Sequence, residues 1–118
     1  MALLYITIAF ILNAAGNILF KVAANRGIVF HGSLINLFSK NYILIFGFVL
    51  YAINALFYAL ALKSLPLSIA YPIMVVMSLL IITIFSISFL HENINTIQII
   101  GYLLLVLSVF LIFYFSNK

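Results

Sequence analysis

Four apolar stretches, each about as long as a lipid bilayer is thick, dominate this sequence. A helix needs about 20 mostly apolar residues to cross the hydrocarbon core of a bilayer. Only 5% of the residues are charged and 69% are hydrophobic, whereas a soluble domain has about 25% charged residues. The chain cannot cover a water-facing surface with this composition, so we predict four transmembrane helices. They span about residues 2–22, 42–62, 67–90 and 97–115.

The links between these stretches favour an up-down bundle of four helices that forms a single domain over residues 1–118. The first link is the longest, and its "SLINLFSK" segment has apolar residues on one side. This segment fits either a helix in the membrane interface or an irregular loop. The first stretch has no basic segment before it, so we expect it to be retained as a helix and not cleaved as a signal peptide. The long, continuous apolar stretches argue against a β-barrel, whose strands alternate in polarity.

Two helix starts carry recognisable capping residues. Ser64 is suited to cap the third helix, with Pro66 in its first turn, where a missing N–H matters little. Asn95 and Gln98 resemble a capping box at the start of the fourth helix.

The basic residues are divided almost evenly between the two sides of the membrane. With four helices, Lys21, Arg26 and Lys40 fall on one side, and Lys63 and Lys118 fall on the other. Cytoplasmic loops attract Lys and Arg, which favours the first link inside. An excess of one residue also permits insertion in both orientations. We expect a multi-pass protein of the cytoplasmic membrane.

Polar residues at helical spacing mark one face of each of the first three spans. Such residues in lipid usually face a neighbouring helix or a cavity. They are therefore either walls of a substrate path or hydrogen-bonding groups that hold helices together. Lys21, at the end of its span, also fits a side chain that snorkels to the interface. The stripes are Asn13, Asn17 and Lys21 with Gly16 beside them, then Gly47, Tyr51, Asn54 and Tyr58, and then Tyr71, Met74 or Val75, and Ser78.

Two further residues stand out in the third span and directly after it. Pro72 removes a backbone N–H and frees the carbonyl of Ser68, which fits a helix that bends around a cavity. Its position near the helix start also fits a proline with little effect. Glu92 is the only acid, and a carboxylate at a helix C-terminus opposes the helix dipole. It is either paired with the basic residues of the first link or a solvated loop charge.

The titratable residues are too few for most enzyme chemistry. The chain has two histidines, one glutamate, no aspartate and no cysteine. We therefore expect no enzyme, no metal site and no cofactor, and the few positive charges give no support for nucleic-acid binding. Gly101 and Ser108 lie seven residues apart in the fourth span, a spacing that permits close helix packing.

The stretch from "LPLSIAY" through Glu92 to Gly101, with "NAAGNILFK" in the first span, resembles the small multidrug resistance family. This family is the four-helix branch of the drug/metabolite transporter superfamily. The family's cation- and proton-binding glutamate falls on Asn13, and an expected aromatic residue falls on Met74. Because an amide does not titrate, these departures argue against proton-coupled drug export. "IAYPIM" and "FLHE" are more similar to the aminoarabinose–undecaprenyl phosphate flippase subunits, which also lack that acid.

The resemblance implies a transporter or flippase for an amphiphile, such as a polyprenyl-phosphate-linked sugar. The headgroup would follow the polar stripes, Lys21, Arg26 and Lys40 would bind its phosphate, and Glu92 would bind the headgroup or a coupling ion. It also implies an antiparallel homodimer or a heterodimer with a paralogous four-helix protein. The alternatives are an exporter of small organic cations and a membrane subunit without transport activity.

Overall fold

The computed structural model describes residues 1–116, and in that part of the chain all regular structure is helical. Four of the helices are long and apolar enough to cross a membrane, as predicted. The fifth is short and lies in the first link. The helices are α1 (Ala2–Arg26), α2 (Leu34–Lys40), α3 (Tyr42–Leu62), α4 (Leu67–Ser88) and α5 (Thr96–Tyr114).

Helix α1 lies between α3 and α4, and α5 packs on the far side of α4. Among residues 1–116, no Cα atom of α5 lies within 8 Å of a Cα atom of α1 or α3. The long helices therefore form an open layer in the order α3, α1, α4, α5. The molecule measures 56 × 38 × 18 Å. Its thickness is less than two helix diameters of about 10–12 Å each. The bundle is therefore a thin wall that does not close on itself.

Two glycines lie at a close crossing of α1 and α3. A Cβ added to Gly16 would lie 3.2 Å from the Gly47 carbonyl oxygen, and one added to Gly47 would lie 3.3 Å from the Gly16 carbonyl oxygen. The Phe20 ring covers this crossing and contacts the rings of Phe48 and Tyr51, with centroids 5.0 and 5.7 Å away. Small residues let the two backbones approach closely, as is common between membrane helices.

The buried core is small and lies towards one end of the layer. Its members come from α1, α3 and α4, whereas α5 has no buried residue. Large apolar side chains cover most of the remaining surface, which is expected where the surrounding solvent is lipid. The core consists of Ile6, Ala9, Ala61, Ala70, Ile73 and Met74.

The "SLINLFSK" segment of the first link contains a helix, α2, which confirms the helical alternative. The hydroxyl oxygen of Ser33 caps it by accepting from the backbone N–H of Asn36 at 3.3 Å. Asn41, between α2 and α3, donates to the carbonyl of Val29 at 2.7 Å and accepts from its N–H at 2.9 Å. The position of α2 in the membrane interface stays a prediction.

Of the two predicted caps, one is confirmed and one is wrong. Asn95 and Gln98 form the capping box through bonds of 2.8 and 3.0 Å. Ser64 does not cap α4, because α4 begins at Leu67 and Ser64 lies two residues before the N-cap position, in the turn that ends α3. Pro66 is the N-cap instead, with its carbonyl accepting from Ala70 at 2.9 Å.

The predicted boundaries differ from the observed ones mainly at the loop ends. Helix α1 continues from residue 22 to Arg26, because the Val-Ala-Ala-Asn segment after Lys21 still forms a helical turn before Gly27. Helix α4 ends at Ser88 and not at residue 90. His91 then adopts a left-handed conformation with a φ of 57°, and the Glu92 N–H turns back to the Ser86 carbonyl at 3.0 Å.

Candidate functional site

A groove opens between α3 and α4, which we call the α3–α4 groove. It exists because α1 separates these two helices over most of their length. Its volume is about 580 Å³, and it is open along one side to the surroundings of the layer. It lies at the end where α3 stops and α4 begins. Its lining residues are Tyr58 of α3 and Leu67, Ser68, Tyr71 and Pro72 of α4.

Pro72 lies inside α4, as predicted, and forms part of the groove wall. Proline has no N–H, so the Ser68 carbonyl lacks the intrahelical donor that it would otherwise have. Ser68 itself lines the groove. The missing helical hydrogen bond therefore leaves a backbone acceptor at the wall of an open space, where a ligand or water can satisfy it.

Two buried polar atoms of α3, one of them on the groove residue Tyr58, have no hydrogen-bond partner among residues 1–116. They are the side-chain oxygen Oδ1 of Asn54 and the hydroxyl oxygen of Tyr58. Asn54 is only 4% exposed. Since the two residues are four apart on α3, their side chains lie on the same helix face. An unsatisfied buried polar atom costs about 1–3 kcal/mol, so this pair is a candidate for binding a ligand that supplies hydrogen bonds.

A second polar group, between α1 and α4, is joined by hydrogen bonds. The side-chain amide of Asn13 donates to the Ser78 hydroxyl oxygen at 2.9 Å, and this hydroxyl donates to the Phe10 carbonyl at 3.0 Å. The Asn17 amide donates to the Asn13 backbone carbonyl at 2.9 Å and to its Oδ1 at 3.3 Å. These bonds join two helices, which is the helix-packing interpretation of the first stripe. A role in a substrate path stays a prediction.

The other predicted path residues lie in different environments. Tyr71 is 55% exposed at the groove, whereas Met74 is 8% exposed and packs in the core, so the structure places Met74 away from the groove. Tyr51 is exposed and packs against Phe20 next to the crossing at Gly16. The polar stripe of α3 is thus divided between helix packing and the groove.

The predicted headgroup and coupling residues are at the opposite end of the layer. Arg26 and Lys40 line one cavity there, which Lys21 does not line. Glu92 is exposed in the link between α4 and α5 and lies outside both the groove and this cavity. These four residues therefore do not form one group.

The two residues predicted to pack against a partner lie on α5. A Cβ added to Gly101 would meet nothing within 4 Å, and the Ser108 hydroxyl donates to the Leu104 carbonyl of its own helix at 2.8 Å. Within residues 1–116, neither residue is buried. Their role at a dimer interface stays a prediction.

Sequence reasoning missed two residues with clear structural roles. Leu67 lines the groove, but an apolar residue at a helix start gives no signal of this. Asn41 stands directly before an apolar run, which predicts an N-cap, but its side chain bonds to Val29 and makes no cap hydrogen bond, so this role had no local signal.

The fold defines a class, the multi-pass helical membrane proteins, and the groove adds a mostly apolar cleft that is open on one side. Comparison with known proteins gives no match: no family model, no curated protein and no solved structure matches the chain significantly.

Proposed function

We propose that the protein is a transporter or flippase of the drug/metabolite transporter type, which moves an amphiphile across the cytoplasmic membrane. A polyprenyl-phosphate-linked sugar is the kind of substrate we have in mind. The observation that carries the proposal is the α3–α4 groove, which Tyr58 lines from α3. The buried, unpaired oxygens of Tyr58 and Asn54 lie on the same helix.

The groove suits a molecule with a polar head and an apolar tail. Binding sites for small molecules are mostly apolar, with a few placed polar groups that fix orientation. Here the exposed wall is mostly apolar, and Ser68 and Tyr71 of α4 are the lining residues that carry hydroxyl groups next to the buried hydroxyl of Tyr58. A hydroxylated headgroup can bond to these groups while its tail remains in the bilayer outside the open side. Asn13 has a neutral amide that does not bind and release a proton, so this position fits a transport mechanism without proton exchange there.

A thin layer needs a second unit to enclose a path, so the proposal includes a dimer. Helix α5 supports it, because this helix has no buried residue and its Gly101 faces open space. An inverted second copy and a paralogous four-helix partner both fit this surface.

Export of small organic cations is the second candidate, and the aromatic rings favour it. Tyr58 and Tyr71 both line the groove, and tyrosine faces attract cations. Against it, Glu92 is exposed at the far end of α4 and Asn13 is neutral, so neither offers a carboxylate in the groove.

The test is flux of a fluorescent short-chain polyprenyl-phosphate sugar in proteoliposomes that contain the full chain. Tyr58→Phe removes only the unpaired hydroxyl, so we expect flux to fall about tenfold while folding stability is unchanged or higher. Tyr102→Phe on α5 is the matched control and should transport like the wild type. Equal flux in both variants would contradict the role of the groove. Proton-driven uptake of a quaternary ammonium dye, without flux of the lipid, would favour export of small organic cations. If neither compound is transported unless a partner protein is present, the chain is better described as a membrane subunit without transport activity of its own.

A further inference from the structure

A second, smaller cavity lies at the opposite end of the layer from the groove, and we call it the cationic cavity. It has a volume of about 170 Å³ and is formed where the C-terminal ends of α1 and α2 meet the first turn of α3. This is room for several water molecules, each of which takes about 30 Å³ of liquid. Its lining includes the side chains of Arg26, Lys40 and Tyr42.

The positive charges of this cavity are not neutralised by a neighbouring acid. The chain contains one acidic residue, Glu92, and it does not line the cavity. Arg26 donates to the Tyr42 hydroxyl oxygen at 3.0 Å, and a guanidinium has further N–H donors beyond this one. Within residues 1–116, the Lys40 ammonium makes no hydrogen bond or ion pair. Two cations therefore border a space that contains no compensating carboxylate.

The walls of the cavity are held in place by bonds that do not use these cations. Asn41 binds both backbone groups of Val29, at 2.7 and 2.9 Å, and both residues line the cavity. The bond from Arg26 to Tyr42 joins the end of α1 to the start of α3. A cavity whose walls are fixed before a ligand arrives loses less freedom on binding.

From these observations we infer that the cationic cavity binds a phosphate group, with Arg26 and Lys40 as its charged ligands. Arginine pairs with phosphate through two N–H groups, and lysine adds a point charge. The phosphate can belong to a lipid headgroup or be free in solution, and both present the same chemistry to the cavity. Its assignment to a lipid-linked substrate rests on the proposed function, whereas phosphate binding itself does not. The competing explanation is that each cation only stabilises the C-terminal end of its own helix.

The experiment measures binding in the absence of any transport. The full chain in neutral detergent is titrated with inorganic phosphate by calorimetry. Separately, the full chain in phosphatidylcholine nanodiscs, with and without phosphatidic acid, is analysed for retained phosphatidic acid by native mass spectrometry. The variants are Arg26→Gln and Lys40→Gln. Lys21→Gln is the matched control, because Lys21 is an exposed cation near the same end of α1 that does not line the cavity.

We expect Arg26→Gln and Lys40→Gln each to weaken phosphate binding about tenfold or more, since each removes a charge-assisted contact. Lys21→Gln should bind like the wild type. Binding of phosphatidic acid alone identifies a lipid headgroup as the ligand, and binding of both probes identifies a general phosphate site. Either result supports the inference if it depends on the two cavity residues. The inference is overturned if neither probe binds, or if all three variants weaken binding equally, because the cations then act only through the surface charge. Arg26→Lys keeps the charge and shows whether a loss in Arg26→Gln reflects misfolding.

Discussion

Replacing Gly47 with alanine tests the close crossing of α1 and α3. The added Cβ would lie 2.9 and 3.0 Å from two carbons of the Phe20 ring and 3.3 Å from the Gly16 carbonyl oxygen. Carbon atoms prefer separations of about 3.5–4.0 Å. The Phe20 ring has little freedom to withdraw, because it packs against Phe48 and Tyr51. We therefore expect an overpacking penalty of about 1–3 kcal/mol in the free energy of unfolding.

Alanine also favours a helix over glycine by about 0.8–1.0 kcal/mol, which partly hides this penalty. Gly101→Ala corrects for that gain, because its Cβ meets nothing within 4 Å. The difference in unfolding free energy between Gly47→Ala and Gly101→Ala should thus equal the overpacking penalty, about 1–3 kcal/mol. The assay is denaturation in detergent micelles followed by far-UV circular dichroism, at two protein concentrations so that any effect of Gly101 on association is separated. Equal stability of the two variants would refute the crossing geometry.

Two further predictions concern hydrogen bonds. Asn13→Ala and Ser78→Ala should each lower the unfolding free energy by about 0.6–1.7 kcal/mol. Because one hydrogen bond joins the two side chains, the double variant should lose less than the sum of the two single losses. Denaturation in micelles measures all three losses, and strict additivity would argue against the bond. Asn95→Ala should destabilise the start of α5 by about 1 kcal/mol, since it removes the acceptor of the Gln98 N–H. The rate of amide hydrogen exchange should rise at residues 96–100 and stay unchanged in α1. Unchanged exchange in both segments would contradict the role of the cap.

The four long helices were predictable because apolar length is a local property that the membrane selects directly. The capping box at Asn95 was predictable for the same reason, since its two partners are three residues apart. Ser64 shows the limit of such local signals. It has the right residue type before a helix, but it belongs to the turn that ends α3 and α4 begins three residues later, so Pro66 is the cap.

The arrangement of side chains between helices was not predictable in the same way. Helical spacing places Tyr71 and Met74 near one another on α4, yet one is exposed at the groove and the other is in the core. Which part of a helix face is covered depends on where α1 crosses, and this depends on the contact between Gly16 and Gly47. Likewise, Arg26 and Lys40 are 14 residues apart, and only the fold of the first link brings them to one cavity.

The pairing of polar atoms separates two roles that the sequence presents as one. Asn13, Asn17 and Ser78 satisfy one another across α1 and α4, so they contribute to helix association without a ligand. Asn54 and Tyr58 occupy an equivalent stripe on α3, but their buried oxygens are unpaired, and Tyr58 also lines the α3–α4 groove. In lipid an unpaired polar atom is unfavourable, and packing alone would be served better by apolar residues. Helix α3 therefore keeps unpaired polar atoms where α1 has paired ones, so the proposed function predicts substrate contacts on α3 and not on α1.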